Sequence, residues 1–228
     1  MINGLGKFQK NGIQKRVKMS TPQLHDDNEE YWQTKLHMGC GGVYLAGYVN
    51  VDAQGQYAYS VGKSALLRNT RYITDYYEKL DGTWDKLPKA NKVIVDVKST
   101  MQGIREEFAD NSVEKIVAIQ TMEHLEPIDF INALDSFYSL LDHSGVLIVS
   151  VPDMEESLDW LADPEKTEFT IRHLRGSLKD RWSIHRSWWT AESLENALSW
   201  VGFRDIQKLD NFHCYPSVVM KCVKYVKG

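Results

Sequence analysis

The run Lys35-Leu-His-Met-Gly-Cys-Gly-Gly42, with Asp52 closing the next apolar run, constrains this chain more than any other feature. Glycine reaches turn conformations that other residues avoid, and it leaves no Cβ between backbone and ligand. Glycines clustered at the end of a short strand therefore describe a tight turn that a ligand can approach closely. A carboxylate at the end of the following strand can accept hydrogen bonds from both hydroxyls of a ribose. Together they suit a nucleoside-containing cofactor at the carboxyl edge of a parallel sheet. The dinucleotide fingerprint G-x-G-x-x-G does not fit: its third glycine falls on Tyr44, and the acid follows Gly39 too soon. A phosphate loop built on Gly62-Lys63-Ser64 fails as well, because Tyr57 stands where its first glycine is required. Those three residues read as a loop entering a helix.

The pattern around the turn predicts an α/β fold. Lys35–Met38, Tyr48–Asp52, Lys92–Val97, Lys115–Ile119 and Val146–Val151 are short apolar runs, as in a parallel sheet covered on both faces. Ile131, Leu134, Tyr138 and Leu141 share one face of a helix that Pro127 can start. Leu194, Ala197, Leu198 and Val201 share one face of another, with Thr190 as N-cap and Gly202 just past its end. Arg204–Asp210 and Ser217–Val226 read as closing strands, the second antiparallel near a sheet edge. Two segments interrupt the alternation. Residues 53–91 carry Leu66, Ile73, Tyr77 and Leu80 at near-helical spacing, and residues 154–189 are rich in Trp, Arg and His. The expected organisation is a polar leader over residues 1–34 and a single domain over 35–228, with insertions near 53–91 and 154–189.

Composition removes several function classes. The chain has 228 residues, which suits one domain. Lys and Arg number 27 against 31 Asp and Glu, so the domain lacks the overall basic footprint of a nucleic-acid binder. The leader is the exception: it carries Lys7, Lys10, Lys15, Arg16 and Lys18 before any acid, and reads as a solvated arm or as an electrostatic arm for RNA. No apolar run reaches the roughly 18 residues of a membrane span, and the N-terminus has no signal-peptide pattern. Three cysteines, Cys40, Cys214 and Cys222, make no disulfide framework, so a reduced cytoplasmic setting is expected. No two of the seven histidines are spaced i, i+4 and there is no C-x-x-C, so no metal is expected. A lone carboxylate-assisted divalent ion is the one metal reading left open.

The segment LHMGCGGVYLAGYVNVD, from Leu36 to Asp52, resembles the class I S-adenosylmethionine-dependent methyltransferases, above all a small group marked by GCG and then G-[WY]-[VI]-N-V-D. MEHLEP (Met122–Pro127), LLDHSGVLIVSVPD (Leu140–Asp153) and HRSWWTAESLENALSWVGFRDI (His185–Ile206) follow in the family's order. The resemblance implies a Rossmann-like, seven-stranded mixed sheet of order 3-2-1-4-5-7-6 flanked by helices. It implies S-adenosylmethionine as cofactor and S-adenosylhomocysteine as product. It implies that Gly39, Cys40 and Gly41 approach the methionine moiety and ribose, and that Asp52 holds the ribose hydroxyls. Asp96 and Val97 would contact adenine, and Gln120 would line the methionine side. Asp96 also reads as a strand-end turn residue, and so does Asp52. Ser144 stands where the family has the first glycine of a Gly-Gly turn, and Met101-Gln102 replace a Leu-Pro stretch.

Methyl transfer from a sulfonium asks a protein mainly for positioning and exclusion of water. An alcohol acceptor also needs a base. The Asp/Asn-Pro-Pro-aromatic motif of enzymes acting on exocyclic amines is missing, because the fourth strand ends Gln120-Thr-Met-Glu-His124. By elimination this favours an oxygen acceptor. Candidate catalytic residues are His185, His124 and Asp153. His124 reads equally as a cap or packing residue, and His185 as a structural hydrogen bond beneath the tryptophans. Glu123 faces cofactor or solvent. Trp160, Arg172, His173, Arg175, Trp182, Arg186 and Trp188 suit a sugar ring or a phosphorylated or carboxylated acceptor, or else simple packing. The expected reaction is O-methylation of a small polar acceptor, such as a sugar or nucleotide-linked sugar of polysaccharide or natural-product pathways. The rivals are an RNA methyltransferase using the leader, a non-catalytic binding member of the fold and, disfavoured by Tyr44, a nicotinamide-dependent reductase. A homodimer is left open.

Overall fold

The apolar runs assemble as one sheet. In the computed structural model, which describes residues 34–225, its strands are β1 (Thr34–Met38), β2 (Val49–Asp52), β3 (Val97–Lys98), β4 (Val113–Ile119), β5 (Leu141–Pro152), β6 (Phe203–Leu209) and β7 (Ser217–Lys224). Their order is β3-β2-β1-β4-β5-β7-β6, the arrangement that the resemblance implies. β3, β2, β1, β4 and β5 pair in parallel. β7 runs antiparallel between β5 and the edge strand β6. The leader expected over residues 1–34 lies, apart from Thr34, outside the described residues, as does Val226.

Side chains alternate across a strand, so a central strand must be apolar on both faces. β4 shows this directly. Ile116 and Ala118 enter one core cluster, and Val117 and Ile119 enter another. The first face is covered by α2 (Pro127–Leu140), through Phe130, Leu134 and Phe137, and by α5 (Ala191–Val201), through Leu194 and Leu198. Pro127 occupies the first turn of α2, where its missing N–H is no loss. The second face is covered by Leu45, Ile73, Tyr76 and Phe212, which come largely from the passage after β1.

That passage departs from the sequence reading in two ways, and within it Val43–Leu45 pairs in parallel with Arg71–Ile73. The run Lys92–Val97 is not one strand. Ile94–Val95 pairs with Gln56–Tyr57, and Val97–Lys98 joins β2 in the main sheet. The near-helical spacing of Leu66, Ile73, Tyr77 and Leu80 spans several elements. Leu66 lies on α1 (Ala58–Asn69, broken at Gly62), Ile73 on a strand and Tyr77 on a 3-10 turn, while Leu80 is exposed. The later insertion forms α3 (Met154–Leu161) and α4 (Thr167–Arg175), then returns as an irregular chain to Trp189. The Trp189 carbonyl accepts from the Met154 amide. Cys40, Cys214 and Cys222 are free thiols, and among the described residues no helix is long and apolar enough to cross a membrane.

Candidate functional site

At the carboxyl edge of β1 the chain turns through Gly39 and Gly41, with φ of +61° and +52°. Both lie in the left-handed region that favours glycine. A Cβ on Gly39 would fall 1.8 Å from Thr121 Oγ1, so this glycine lets the turn pack against the end of β4. A Cβ on Gly41 would meet nothing within 4 Å. Gly41 therefore presents bare backbone to open space, as close ligand approach requires. Its amide donates to Asp52 Oδ2 at 3.0 Å, and the Gln54 amide donates to Asp52 Oδ1 at 3.1 Å. Each carboxylate oxygen can accept a second bond, so Asp52 retains capacity for two ribose hydroxyls. The open backbone and the spare acceptors fit the nucleoside end of S-adenosylmethionine. Between the glycines, Cys40 is buried. Its thiol is pushed up well above the usual range by burial and by Asp52 and Asp96, so it contributes shape and backbone rather than a thiolate.

Asp96 is turned into the fold. Its Oδ1 accepts from the Tyr44 hydroxyl at 2.7 Å, and its Oδ2 accepts from the Asn50 amide at 2.8 Å. Val97 pairs with Val51 on β2. Beneath the turn, buried Asn50 accepts from the Leu45 amide and from His37 Nδ1, each at 2.8 Å, and donates to the carbonyls of Leu45 and Tyr48. His37 Nε2 meets the Tyr76 hydroxyl at 2.7 Å. This polar web holds the helix-free crossover in place. Its signal in the sequence was a polar residue inside each apolar run, Leu36-His37-Met38 and Val49-Asn50-Val51.

Gln120 follows β4 with φ of +50°, an uncommon conformation for a residue with a side chain. Its Nε2 donates to Ser150 Oγ at 3.1 Å and Ser217 Oγ at 3.3 Å, tying together the ends of β4, β5 and β7. Asp153, at the end of β5, caps α3 by accepting from the amides of Glu155 and Glu156. Its other oxygen lies 3.8 Å from Lys208 Nζ.

Three titratable groups meet after β4. Glu123 is 1% exposed, and its Oε1 lies 3.8 Å from His185 Nε2. His124 packs edge-on to His185, with ring centroids 4.7 Å apart, and its Nδ1 lies 3.1 Å from the Ile184 carbonyl. Burial pushes the Glu123 carboxyl up to about 8. Burial, with His124 and His173 nearby, pushes His185 down to about 3. At neutral pH the imidazole is thus free of charge and the carboxyl holds its proton. Glu123 is the residue that sequence reasoning left unplaced. The fold puts it in the interior, facing His185, and only its place beside His124 hinted at this.

A cavity of about 770 Å³ adjoins the glycine turn and is lined by Gly42, Val43, Arg71, Lys89, Arg172 and Lys179, together with Ala90. Four cations and no carboxylate face it. Arg71 stacks its guanidinium over Trp84 at 4.6 Å, and its buried Nε has no hydrogen-bond partner among the described residues. Neither Arg71 nor Lys89 stood out in the sequence, because they come from the passage that covers the second face.

Residues 38–208 match the family model described as a methyltransferase domain. No curated protein matches the chain in sequence. Among solved structures it is similar to a SAM-dependent methyltransferase from Archaeoglobus fulgidus, at 15% identity and a TM-score of 0.48, covering 85% of this chain and 88% of that one. It is also similar to a SAM-dependent methyltransferase from Thermotoga maritima, at 13% identity and a TM-score of 0.45, covering 84% of this chain and 82% of that one. The family match runs from the glycine turn through Asp52 and the end of β4 into β6, and by it the chain belongs to the class I S-adenosylmethionine-dependent methyltransferases, with S-adenosylmethionine as its cofactor.

Proposed function

We propose that the protein methylates a hydroxyl oxygen on a small polar acceptor that carries an anionic group, a nucleotide-linked sugar being the class that fits best. The observation that carries this reading is the cavity beside the glycine turn. Arg71, Lys89, Arg172 and Lys179 line it without a compensating carboxylate. Arginine forks and lysine ammonium groups match the charge of a diphosphate. Trp182 and Trp188, 41% and 56% exposed, offer faces for a sugar ring on the same insertion as Arg172 and Lys179.

The cofactor, when bound, supplies an electrophilic methyl group on sulfur. Gly41 and Asp52 would hold its sugar, Val97 would border its base, and Cys40 and Gln120 would close the methionine side. The acceptor hydroxyl loses its proton beside the cluster of Glu123, His124 and His185. Asp153 positions α3 and the insertion against the site.

The test is a tritiated-methyl assay against nucleotide sugars, neutral oligosaccharides, small phenols and RNA. Label should enter a nucleotide sugar, and Arg172→Ala should raise KM for that acceptor about tenfold or more with kcat little changed, as loss of uniform binding requires. Preferential labelling of neutral sugars, phenols or RNA would overturn the acceptor assignment.

A further inference from the structure

We infer that Glu123, His124 and His185 form the binding site of one divalent cation of the zinc or manganese type, placed to hold the acceptor hydroxyl. The inference rests on the methyl-transfer reading for its role, though not for the existence of the site.

The three side chains each offer one ligand atom, and these atoms lie within 4.8 Å of one another. Ligands of a tetrahedral zinc with bonds of about 2.0–2.1 Å sit roughly 3.4 Å apart, so closing the cluster needs only modest side-chain rotation. Two imidazole nitrogens and a carboxylate oxygen are a donor set for borderline divalent ions, and three protein ligands leave a position open for substrate.

An orphaned polar atom points the same way. Glu123 Oε2 is buried and has no hydrogen-bond partner among the described residues. Buried polar groups are nearly always satisfied, and a fully buried carboxyl without a partner calls for an occupant. Among the described residues no lysine or arginine pairs with Glu123: Arg186, the arginine of the adjoining loop, directs its guanidinium to Glu126 at 3.0 Å.

The histidines are set up as ligands. His124 Nδ1 lies against the Ile184 carbonyl, which only accepts, so Nδ1 carries the proton and Nε2 keeps its lone pair. Metal-binding histidines are oriented by outer hydrogen bonds of this kind. The backbone also fixes the cluster: the Glu123 carbonyl accepts from the Arg186 amide at 2.8 Å and the Ser187 amide at 3.2 Å, clamping the His185 loop onto the turn after β4. A site built from Glu123-His124 and the distant His185 has no local spacing for a sequence to display.

A cation here would acidify a coordinated hydroxyl. The acceptor oxygen would then form its bond to the methyl carbon as the carbon–sulfur bond breaks. The bonding pair stays on sulfur, and the acceptor proton leaves to solvent. No further reactant is needed.

The experiment uses the full chain, stripped with chelator and checked for its fold by circular dichroism. Zinc chloride and manganese chloride are titrated by calorimetry, and cobalt chloride by visible absorption. One equivalent should bind, zinc more tightly than manganese. Glu123→Gln and His124→Gln should each weaken zinc binding a hundredfold or more and abolish the rise in melting temperature that zinc gives the unaltered chain. Absence of stoichiometric binding by folded protein overturns the inference, as does binding unchanged in both variants. S-adenosylmethionine is titrated in parallel. Protein that binds the cofactor and methylates its acceptor in the presence of chelator, without binding metal, sinks the cation site alone. Protein that binds metal and not cofactor sinks the methyl-transfer reading alone.

Discussion

Gly39 and Gly41 have nearly the same backbone angles and opposite surroundings, so the same substitution should do different things to each. At Gly39 a methyl group must enter the space of Thr121 while the backbone stays left-handed. Overpacking and the unfavourable φ together should cost about 2–4 kcal/mol of stability. Thr121→Ser should recover part of that loss, measured by urea unfolding. Gly41→Ala meets no atom, so its stability cost should stay near 1–2 kcal/mol. Its methyl group instead intrudes on the cofactor, and affinity for S-adenosylmethionine should drop at least about tenfold by calorimetry. Wild-type affinity in Gly41→Ala would remove the glycine turn from the cofactor site. Asp52→Ala should lose two hydrogen bonds to a charged acceptor, at about 1.5–3 kcal/mol each, weakening the cofactor roughly a hundredfold or more. The glycine turn and Asp52 are legible in sequence because paired glycines after one strand and an acid closing the next make a local pattern. Glu123 and His185 are not. Their partnership depends on a loop folding back across the end of β4, and a buried glutamate looks like a surface one until its burial is known.

Elements with a complete local grammar were readable in full, and α5 is the best case. Thr190 accepts from the Ser193 amide while the Ser193 hydroxyl accepts from the Thr190 amide, and Gly202 ends the helix at φ of +119°. Thr190→Ala should therefore cost about 1 kcal/mol and lower the melting temperature by about 2–4 °C. A drop within error would mean that tertiary packing alone sets the start of α5. Where elements depend on partners the reading fell short. Residues 92–97 are uniformly suited to a strand, yet the Asp96 amide goes to the Asn50 carbonyl and splits the run between two sheets. Nothing in the apolar pattern encodes that choice, because it is made by Tyr44 and Asn50 taking the Asp96 carboxylate. The spacing across residues 66–80 misled for a related reason: several short elements each bury one side chain, and together they mimic a period. Ser144 shows the reverse. It adopts φ of +64° at a position where a glycine was expected, so the backbone demand survives the change of residue.

Across the whole molecule, buried histidines make the folded state sensitive to acid. His37, wholly buried between Asn50 and Tyr76, is pushed down to about 4 by desolvation. His213 is pushed down to about 2 by burial, with Lys79 and His173 adding to the effect; Lys79 Nζ lies 2.9 Å from its Nδ1. His37 lies under the crossover, and His213 lies beside the end of β5, its Nε2 3.4 Å from Ser150 Oγ. In each case the folded value lies below the unfolded value of about 6.5, so protons bind preferentially to the unfolded chain. The stability these rings allow is whole above about pH 6.5 and is lost as pH falls, His37 ceasing to contribute below about 4 and His213 below about 2. Near pH 5.5 the unfolded chain holds about two more protons at these positions, a slope of roughly 2.7 kcal/mol per pH unit. Lys79 is itself pushed down to about 8, and its titration lies above this window. Urea unfolding of chelator-treated protein at pH 7, 6 and 5 should show a steep loss of stability. His37→Gln combined with His213→Gln should flatten that slope by about two protons, whatever the remaining histidines contribute. An unchanged slope in the double variant would show that both rings already carry their protons in the folded protein, against the dry environment in which the fold places them.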